Sequence, residues 1–437
     1  MNAKRTSASP AAPGAPRPAT GSPATEPGQI WSMRPGEVDP YALWSRLTDG
    51  RYLAHAVPGQ MSMLACRKGC TVAALRAAIA DDTGLRIPAV YPDGAMFCTL
   101  RADPLNPDDP DAAELRRQVS ERLDRLALVI GADPAKAAAV PPAPAPPAGG
   151  PTAAARAAPA EPGKGQHPAP RVVVAVIDGL CAFAHRRFCT TLDGRPHSRL
   201  LAYWDQGQAA NAPWHTPSTM GWGRELDRAD IDDLLARHLD PSAIDSGRQV
   251  AERELYRSAA HAWPEECDWS HGVHMLDTAG GGDGDPGDPI SDVDLLYVQL
   301  PTPALYDTSA RWMPHHVLDA LRYVVDRAGP QARVIVNLSL GAFAGPHDGS
   351  SPLERAIDAL IDEIGPRLTV VVAAGNARAP QDDGTGEVRP CHARARLAAS
   401  GHPGDRATLP IALGMRDTAE TFIELWLPAS EALTCDQ

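Results

Sequence analysis

The sequence contains neither a long apolar run nor an apolar segment near its N-terminus. The first 29 residues, rich in Pro, Ala and Ser, lack the apolar stretch of a secretory signal peptide. No later run approaches the roughly 20 residues that a membrane-spanning helix needs. These absences predict a protein without membrane association that resides in the cytoplasm.

Clustered basic residues and paired cysteines are also missing. The formal net charge is −13 over 437 residues, with no concentrated Lys/Arg run, which argues against binding of nucleic acid through its phosphates. The eight cysteines include no CxxC pair, so we expect free thiols in a reducing compartment rather than a disulfide framework. Cys66 and Cys70, four residues apart without partner histidines, are expected to have no special role.

Proline and glycine, 44 and 37 residues, are distributed unevenly. Residues 1–29 and 135–170 are Pro/Ala-rich segments that cannot build a core, and they predict a disordered N-terminus and a linker. Residues 30–134 have a globular composition and predict a small α/β region of unassigned role. Residues 171–437 predict a second domain, with a β-rich segment from about residue 396.

Periodicity predicts the elements of the first region. "TVAALRAAIADDTG" indicates a helix from Thr71, with Gly84 as its stop. "DAAELRRQVSERLDRLALVIG" indicates a second helix over 111–131, and "AMFCTL" a strand between the two. These patterns predict structure but no chemistry.

The second region alternates buried strands with amphipathic helices. "RVVVAVID", "VDLLYVQL", "RVIVNLSLG" and "LTVVVAAGN" are continuous apolar runs, typical of strands that are covered on both faces. "HHVLDALRYVVDRAG" predicts a helix ended by Gly329. "SSPLERAIDALIDEIGP" predicts another, with Ser351 as N-cap, Pro352 at N1 and Glu354 at N3. Together they predict a three-layer αβα domain around a mostly parallel sheet.

Three groups of polar or small residues follow predicted strands: Asp178, the turn Ser339, Leu340 and Gly341, and Asn376. The carboxyl ends of parallel strands meet at one edge of the sheet, where functional groups gather. A carboxylate there can orient an imidazole, an amide can donate to an oxyanion, and a small-residue edge can accept an extended peptide. The sequence therefore predicts a site at this edge.

His271, in "SHGVHMLDTAGG", allows two interpretations. His271, His274 and Asp277 have i, i+3, i+6 spacing, which places them on one side of a helix and would suit a metal if Asp268 or His261 supplied a further ligand. The usual zinc pair has i, i+4 spacing with an intervening Glu. We therefore favour a general base at His271, and we expect His274 to be a buried helix residue.

The second region resembles the subtilisin-like serine peptidases. "VAVIDGLCAFAH" is similar to the segment of that family's triad Asp, "SHGVHMLDTAGG" to its His motif, "VNLSLGAFAG" to its substrate-binding strand, and "VVVAAGN" to its oxyanion segment, in family order. The resemblance implies catalytic roles for Asp178, His271 and Asn376 and substrate binding by Ser339, Leu340 and Gly341. It implies a polypeptide substrate and no cofactor; calcium is common in the family, but no ligand set stands out here.

The family's nucleophile motif, close to GTSxAxP, is missing downstream of Asn376, where the two serines, Ser400 and Ser430, lack its flanking residues. We therefore expect little or no peptidase turnover from this chain, which we interpret as truncated before the serine. The alternatives are a non-catalytic peptide-binding pseudoprotease and a metal-dependent hydrolase. The chain also departs from the family motifs at five positions: Gly179, Leu180, Val273, Leu276 and Asp277.

Overall fold

The computed structural model describes ten stretches of the chain: 60–79, 84–103, 110–130, 171–192, 194–240, 250–263, 270–283, 289–305, 313–342 and 344–375. The predicted disordered N-terminus, the 135–170 linker and the β-rich segment from about residue 396 lie outside these residues. Among the described helices, none combines the length and apolarity needed to cross a membrane.

The first region forms a four-stranded antiparallel sheet with two helices. Its elements are β1 (Gln60–Cys66), α1 (Val72–Ala78), β2 (Leu85–Arg86), β3 (Phe97–Ala102), α2 (Pro110–Leu126) and β4 (Ala127–Ile130). The strand order is β2-β3-β1-β4. The helix predicted from Thr71 is present, with Thr71 as its N-cap: the Thr71 hydroxyl accepts from the Ala74 amide at 3.2 Å.

The prediction of one helix over 111–131 is wrong at its C-terminal end. The helix stops at Leu126, and "ALVI" becomes β4, which pairs with β1 from Cys66↔Ala127 to Met63↔Ile130. Val129 and Ile130 are buried. Such β-branched side chains favour a strand that also gains ladder hydrogen bonds with β1.

The second region contains a six-stranded sheet, mostly parallel. Its strands are β5 (Val172–Asp178), β8 (Leu200–Asp205), β9 (Arg224–Asp227), β10 (Asp294–Gln299), β11 (Arg333–Leu338) and β12 (Leu368–Val372), while β6 (Cys189–Leu192) and β7 (Arg195–Ser198) form a separate hairpin. The order is β12-β11-β5-β10-β8-β9, and only β9 runs antiparallel to its neighbour.

Helices cover both faces of this sheet, which confirms the three-layer αβα class. They are α3 (Arg228–Arg237), α4 (Glu252–Ser258), α5 (His271–Gly280), α6 (Thr302–Leu305), α7 (Met313–Ala328) and α8 (Pro352–Ile364). Alternate residues of β5 separate the layers: Val173 and Ala175 join the core under α7, whereas Val174 and Val176 join the core under α5. This is the period-two alternation of a strand buried on both faces.

The sequence signals of the last two helices are confirmed. Gly329, with φ +82°, ends α7. The Ser351 hydroxyl accepts from the Glu354 amide at 3.3 Å while the Glu354 carboxylate accepts from the Ser351 amide at 2.9 Å, which forms a complete capping box at the start of α8.

A further strand of the main sheet lies between Asp178 and His271 along the sequence. "LLAYWD" is β8, which runs parallel to β10 inside the main sheet, and Tyr203 and Trp204 in it are completely buried.

Candidate active site at the carboxyl edge of the sheet

Asp178 is the last residue of β5, the strand between β10 and β11. Asp178 is 2% exposed, and its carboxylate accepts a hydrogen bond from the Gly179 amide at 2.6 Å. The strand end thus holds a buried acidic group whose position is fixed by the ladder behind it and by the turn in front of it.

His271 is the first residue of α5, and Ser270 is the N-cap. The Ser270 hydroxyl accepts from the Val273 amide at 3.1 Å and donates to the carbonyl of Leu180. One side chain therefore satisfies an amide of the first helical turn and ties the start of α5 to the loop that follows Asp178.

The structure brings Asp178 and His271 together. Nδ1 of His271 lies 2.8 Å from Oδ2 and 2.9 Å from Oδ1 of Asp178. An ionised carboxylate only accepts hydrogen bonds, so Nδ1 is the donor and the lone pair of a neutral ring lies on Nε2. The imidazole side chain is 57% exposed, whereas that of Asp178 is 3% exposed. This arrangement can move a proton between Nε2 and a group in the solvent-facing space.

Close packing between α5 and the sheet depends on two glycines. A Cβ on Gly272 would overlap the hydroxyl oxygen of Tyr297 and lie 2.8 Å from the carbonyl oxygen of Leu180. A Cβ on Gly280 would lie 2.6 Å from the Leu295 side chain. Leu276, a bulky departure from the family motif, is completely buried in the same core, so the helix accommodates it and still places His271 against Asp178.

Among the described residues, His271, His274 and Asp277 do not form a group that could hold a metal ion. His274 is exposed, which corrects the expectation of a buried residue. Asp277 pairs with the guanidinium of Arg187. His261 is buried and its Nε2 donates to the Cys181 carbonyl at 2.8 Å, while burial lowers its pKa to about 4. Asp268 lies outside the described residues.

Within the described part of the chain, one other group could hold a metal ion: His215, Asp227 and Asp230. Its members already have partners. Asp227 and Asp230 form the reciprocal capping box of α3, and His215 lies 3.3 Å from both Asp230 and Glu225. The geometry is explained by the helix start and by the two contacts of His215 with carboxylates.

Of the remaining predicted site residues, the structure describes Ser339, Leu340 and Gly341 but not Asn376. Ser339, Leu340 and Gly341 follow β11, which runs parallel to β5, so they lie at the same edge as Asp178. The Ser339 hydroxyl donates to Asn337 Oδ1 at 3.0 Å, and the Cα of Gly341 faces open space. Asn376 lies outside the described residues.

Sequence reasoning missed the residues that hold the loop after Asp178. Three consecutive carbonyls, those of Gly179, Leu180 and Cys181, accept from the side chains of Tyr297, Ser270 and His261, respectively. The available signal was a tyrosine inside the apolar run "VDLLYVQL", since a buried hydroxyl needs a hydrogen-bond partner.

Comparisons with known proteins add little. No protein-family model matches the sequence, and no curated protein matches it. Among solved structures, the CspB protease of Clostridium perfringens is similar at a TM-score of 0.33 and 19% identity, over 48% of this chain. The chain thus spans about a third of that protein, 37% of its length, and a likeness this weak supports no conclusion about activity.

Proposed function

We propose that this chain contains the acid–base half of a serine peptidase site of the subtilisin-like class, with Asp178 and His271 as two members of its triad. The observation that supports the proposal is the contact of a buried carboxylate with Nδ1 of an exposed imidazole, 2.8 Å away. The order of the four family-like motifs along the sequence supports the same class.

In the proposed mechanism, Nε2 of His271 takes the proton of an attacking nucleophile and later returns it to the leaving amine. Asp178 keeps Nδ1 protonated, so that Nε2 is the basic nitrogen, and stabilises the imidazolium that forms. The amide of Asn376 would donate to the oxyanion. An extended polypeptide would pair with the backbone near Ser339 to Gly341, at the same edge as the Asp178–His271 pair.

The nucleophile is the missing component of this proposal. None of the serines downstream of Asn376 has the family's flanking residues, so we expect no measurable peptide hydrolysis by this chain alone. In a related enzyme, loss of the serine costs about a millionfold in kcat. A peptide-binding pseudoprotease is the second candidate, favoured by the same missing motif together with the open space at Gly341.

A test that does not need the serine is the hydrolysis of p-nitrophenyl acetate, an activated ester that a general base can cleave with water. We expect D178N to lower the His271-dependent rate about tenfold, far less than the roughly 10⁴-fold that the same change costs a complete triad. H271Q defines the background, and H274Q is the matched control because His274 is exposed on the same helix. Equal rates for the wild-type protein and D178N would contradict the proposed pair.

A fluorophosphonate probe tests the missing nucleophile separately. We expect no labelling of this chain. Stoichiometric labelling of one serine that disappears in H271Q would contradict the view that the chain lacks its nucleophile, and peptide mapping would identify that serine. Two results together would favour the pseudoprotease. The protein would bind an extended peptide that G341W no longer binds, and D178N would hydrolyse the ester as fast as the wild-type protein.

A further inference from the structure

The loop after Asp178 is held by side chains from three separate places in the fold. Tyr297 comes from β10, Ser270 from the N-cap of α5, and His261 from the segment after α4. Each donates to a different one of the three carbonyls that follow Asp178. With all three carbonyls bonded by side chains from distant parts of the chain, the fold specifies the position of this loop closely.

Tyr297, like Ser270, links the loop after Asp178 to the start of α5, but it does so from a third element, the strand β10. Its Cα pairs with Val176 on β5, two residues before Asp178, and its hydroxyl donates to the Gly179 carbonyl at 2.7 Å. The same hydroxyl fills the space that a side chain at Gly272 would occupy, directly after His271. One oxygen atom thus lies between the backbone after Asp178 and the backbone after His271.

The Tyr297 ring is itself rigidly held. It is completely buried and stacks on Tyr203, with ring centroids 5.2 Å apart and planes 16° apart. Burial, and secondarily the nearby Cys181 and Asp178, raises the pKa of Tyr297 well above its usual range. The hydroxyl therefore keeps its proton and remains a donor at neutral pH.

We propose that Tyr297 is a positioning residue for the Asp178–His271 pair: its hydroxyl sets the separation of the two backbones by bonding the Gly179 carbonyl and packing on Gly272. The inference rests on the proposed function, since it treats the pair as the working part of the site. Without the hydroxyl, the Gly179 carbonyl loses its donor and a cavity opens under the first turn of α5. Both changes allow the carboxylate and the imidazole to move apart.

The test uses ¹⁵N-histidine-labelled protein and the NMR signal of the His271 Nδ1–H, assigned by its loss in H271Q. We expect a protected Nδ1–H in the wild-type protein that exchanges with water about fivefold faster in Y297F, the effect of one buried hydrogen bond. Y323F is the matched control, because Tyr323 is equally buried but lies in the other core, and its hydroxyl has no hydrogen-bond partner among the described residues. A merely structural tyrosine would change stability without changing this signal.

The outcomes separate the two proposals. If the His271 Nδ1–H signal is the same in D178N as in the wild-type protein, the proposed function is contradicted, because Nδ1 is then not bonded to Asp178. A wild-type signal that depends on Asp178 but is identical in Y297F would overturn the role of Tyr297 alone. If Y297F does not fold, S270A tests the same coupling from the helix side through the Leu180 carbonyl; unchanged exchange there would overturn the inference.

Discussion

Two regions of this molecule combine histidine with a buried aspartate, and they differ in their access to water. At the sheet edge, the His271 side chain is 57% exposed above Asp178. Where the N-terminal sheet meets α7, His315, His316 and Asp319 are all at most 3% exposed. Asp319 there accepts hydrogen bonds from Tyr91 at 2.6 Å and Thr99 at 2.7 Å, 228 and 220 residues away along the chain.

Burial determines the chemistry that each region can perform. Burial lowers the pKa of His315 to about 3 and that of His316 well below its usual range, so both rings are neutral. Neither ring is open to a substrate or to bulk water, so we assign the junction a structural role. The sheet edge keeps the carboxylate buried but leaves Nε2 of the imidazole accessible, as a base requires.

The largest effect is expected from Gly272→Ala at the sheet edge. The new Cβ would overlap the Tyr297 hydroxyl and lie 2.8 and 3.0 Å from the carbonyl oxygens of Leu180 and Gly179. We expect a loss of about 3 kcal/mol in the free energy of unfolding, measured in urea. G341A is the control, because no described residue lies within 4 Å of its Cβ position. Equal stability of the two variants would show that α5 is not packed as described.

A smaller, pH-dependent effect is expected at the junction. Burial raises the pKa of Asp319 from its usual 3.8 to about 6, against opposing hydrogen bonds from Tyr91 and Thr99. The folded protein therefore holds this proton more tightly than the unfolded chain, so the contribution to stability is complete below about pH 4 and is lost as the pH rises through about 6. From pH 4 to pH 7 the loss from this group is about 2–3 kcal/mol.

The variant D319N removes this titration while keeping an oxygen that accepts from both hydroxyls. The difference in unfolding free energy between D319N and the wild-type protein should grow in favour of D319N as the pH rises from 4 to 7. The comparison of the two proteins cancels the opposite contribution of the buried histidines. D326N, on the exposed side of the same helix, should show no such trend; a parallel pH dependence of D319N and the wild-type protein would contradict the assignment.

The smallest effect is expected from R187A, beside the candidate site. Arg187 and Asp277 form an ion pair with side chains 31% and 36% exposed, and such pairs contribute about 0.5 kcal/mol because water screens them. We expect this small loss in urea unfolding, and no gain of stoichiometric zinc by the freed Asp277 in equilibrium dialysis. If R187A retained stoichiometric zinc, and if adding H274Q to R187A abolished that binding, the result would support the metal hypothesis.

The sequence was sufficient for features that depend on local pattern. Strands covered on both faces have continuous apolar runs, and the capping box of α8 needs only Ser351 and Glu354, three residues apart. Both features could therefore be predicted. The proximity of Asp178 and His271 followed from the family resemblance and the parallel-sheet edge. Their hydrogen bond, like the Tyr91–Asp319 pair, joins residues far apart along the chain, and no local pattern encodes such a distance.

The missed features have the same cause. The start of β4 at Ala127 depends on pairing with β1, and β8 is a sheet strand because β10 lies beside it. Tyr297 looks like an ordinary apolar-strand residue until the loop after Asp178 and Gly272 are placed next to its hydroxyl. In each case tertiary packing, rather than local propensity, decides the outcome.

The most direct test of the account is the rate of p-nitrophenyl acetate hydrolysis by the wild-type protein and by D178N, each corrected for the H271Q background. If Asp178 and His271 act as one acid–base pair, D178N is slower by about tenfold and H274Q is unchanged. If D178N matches the wild-type rate, the 2.8 Å contact has no chemical consequence and the central claim is wrong.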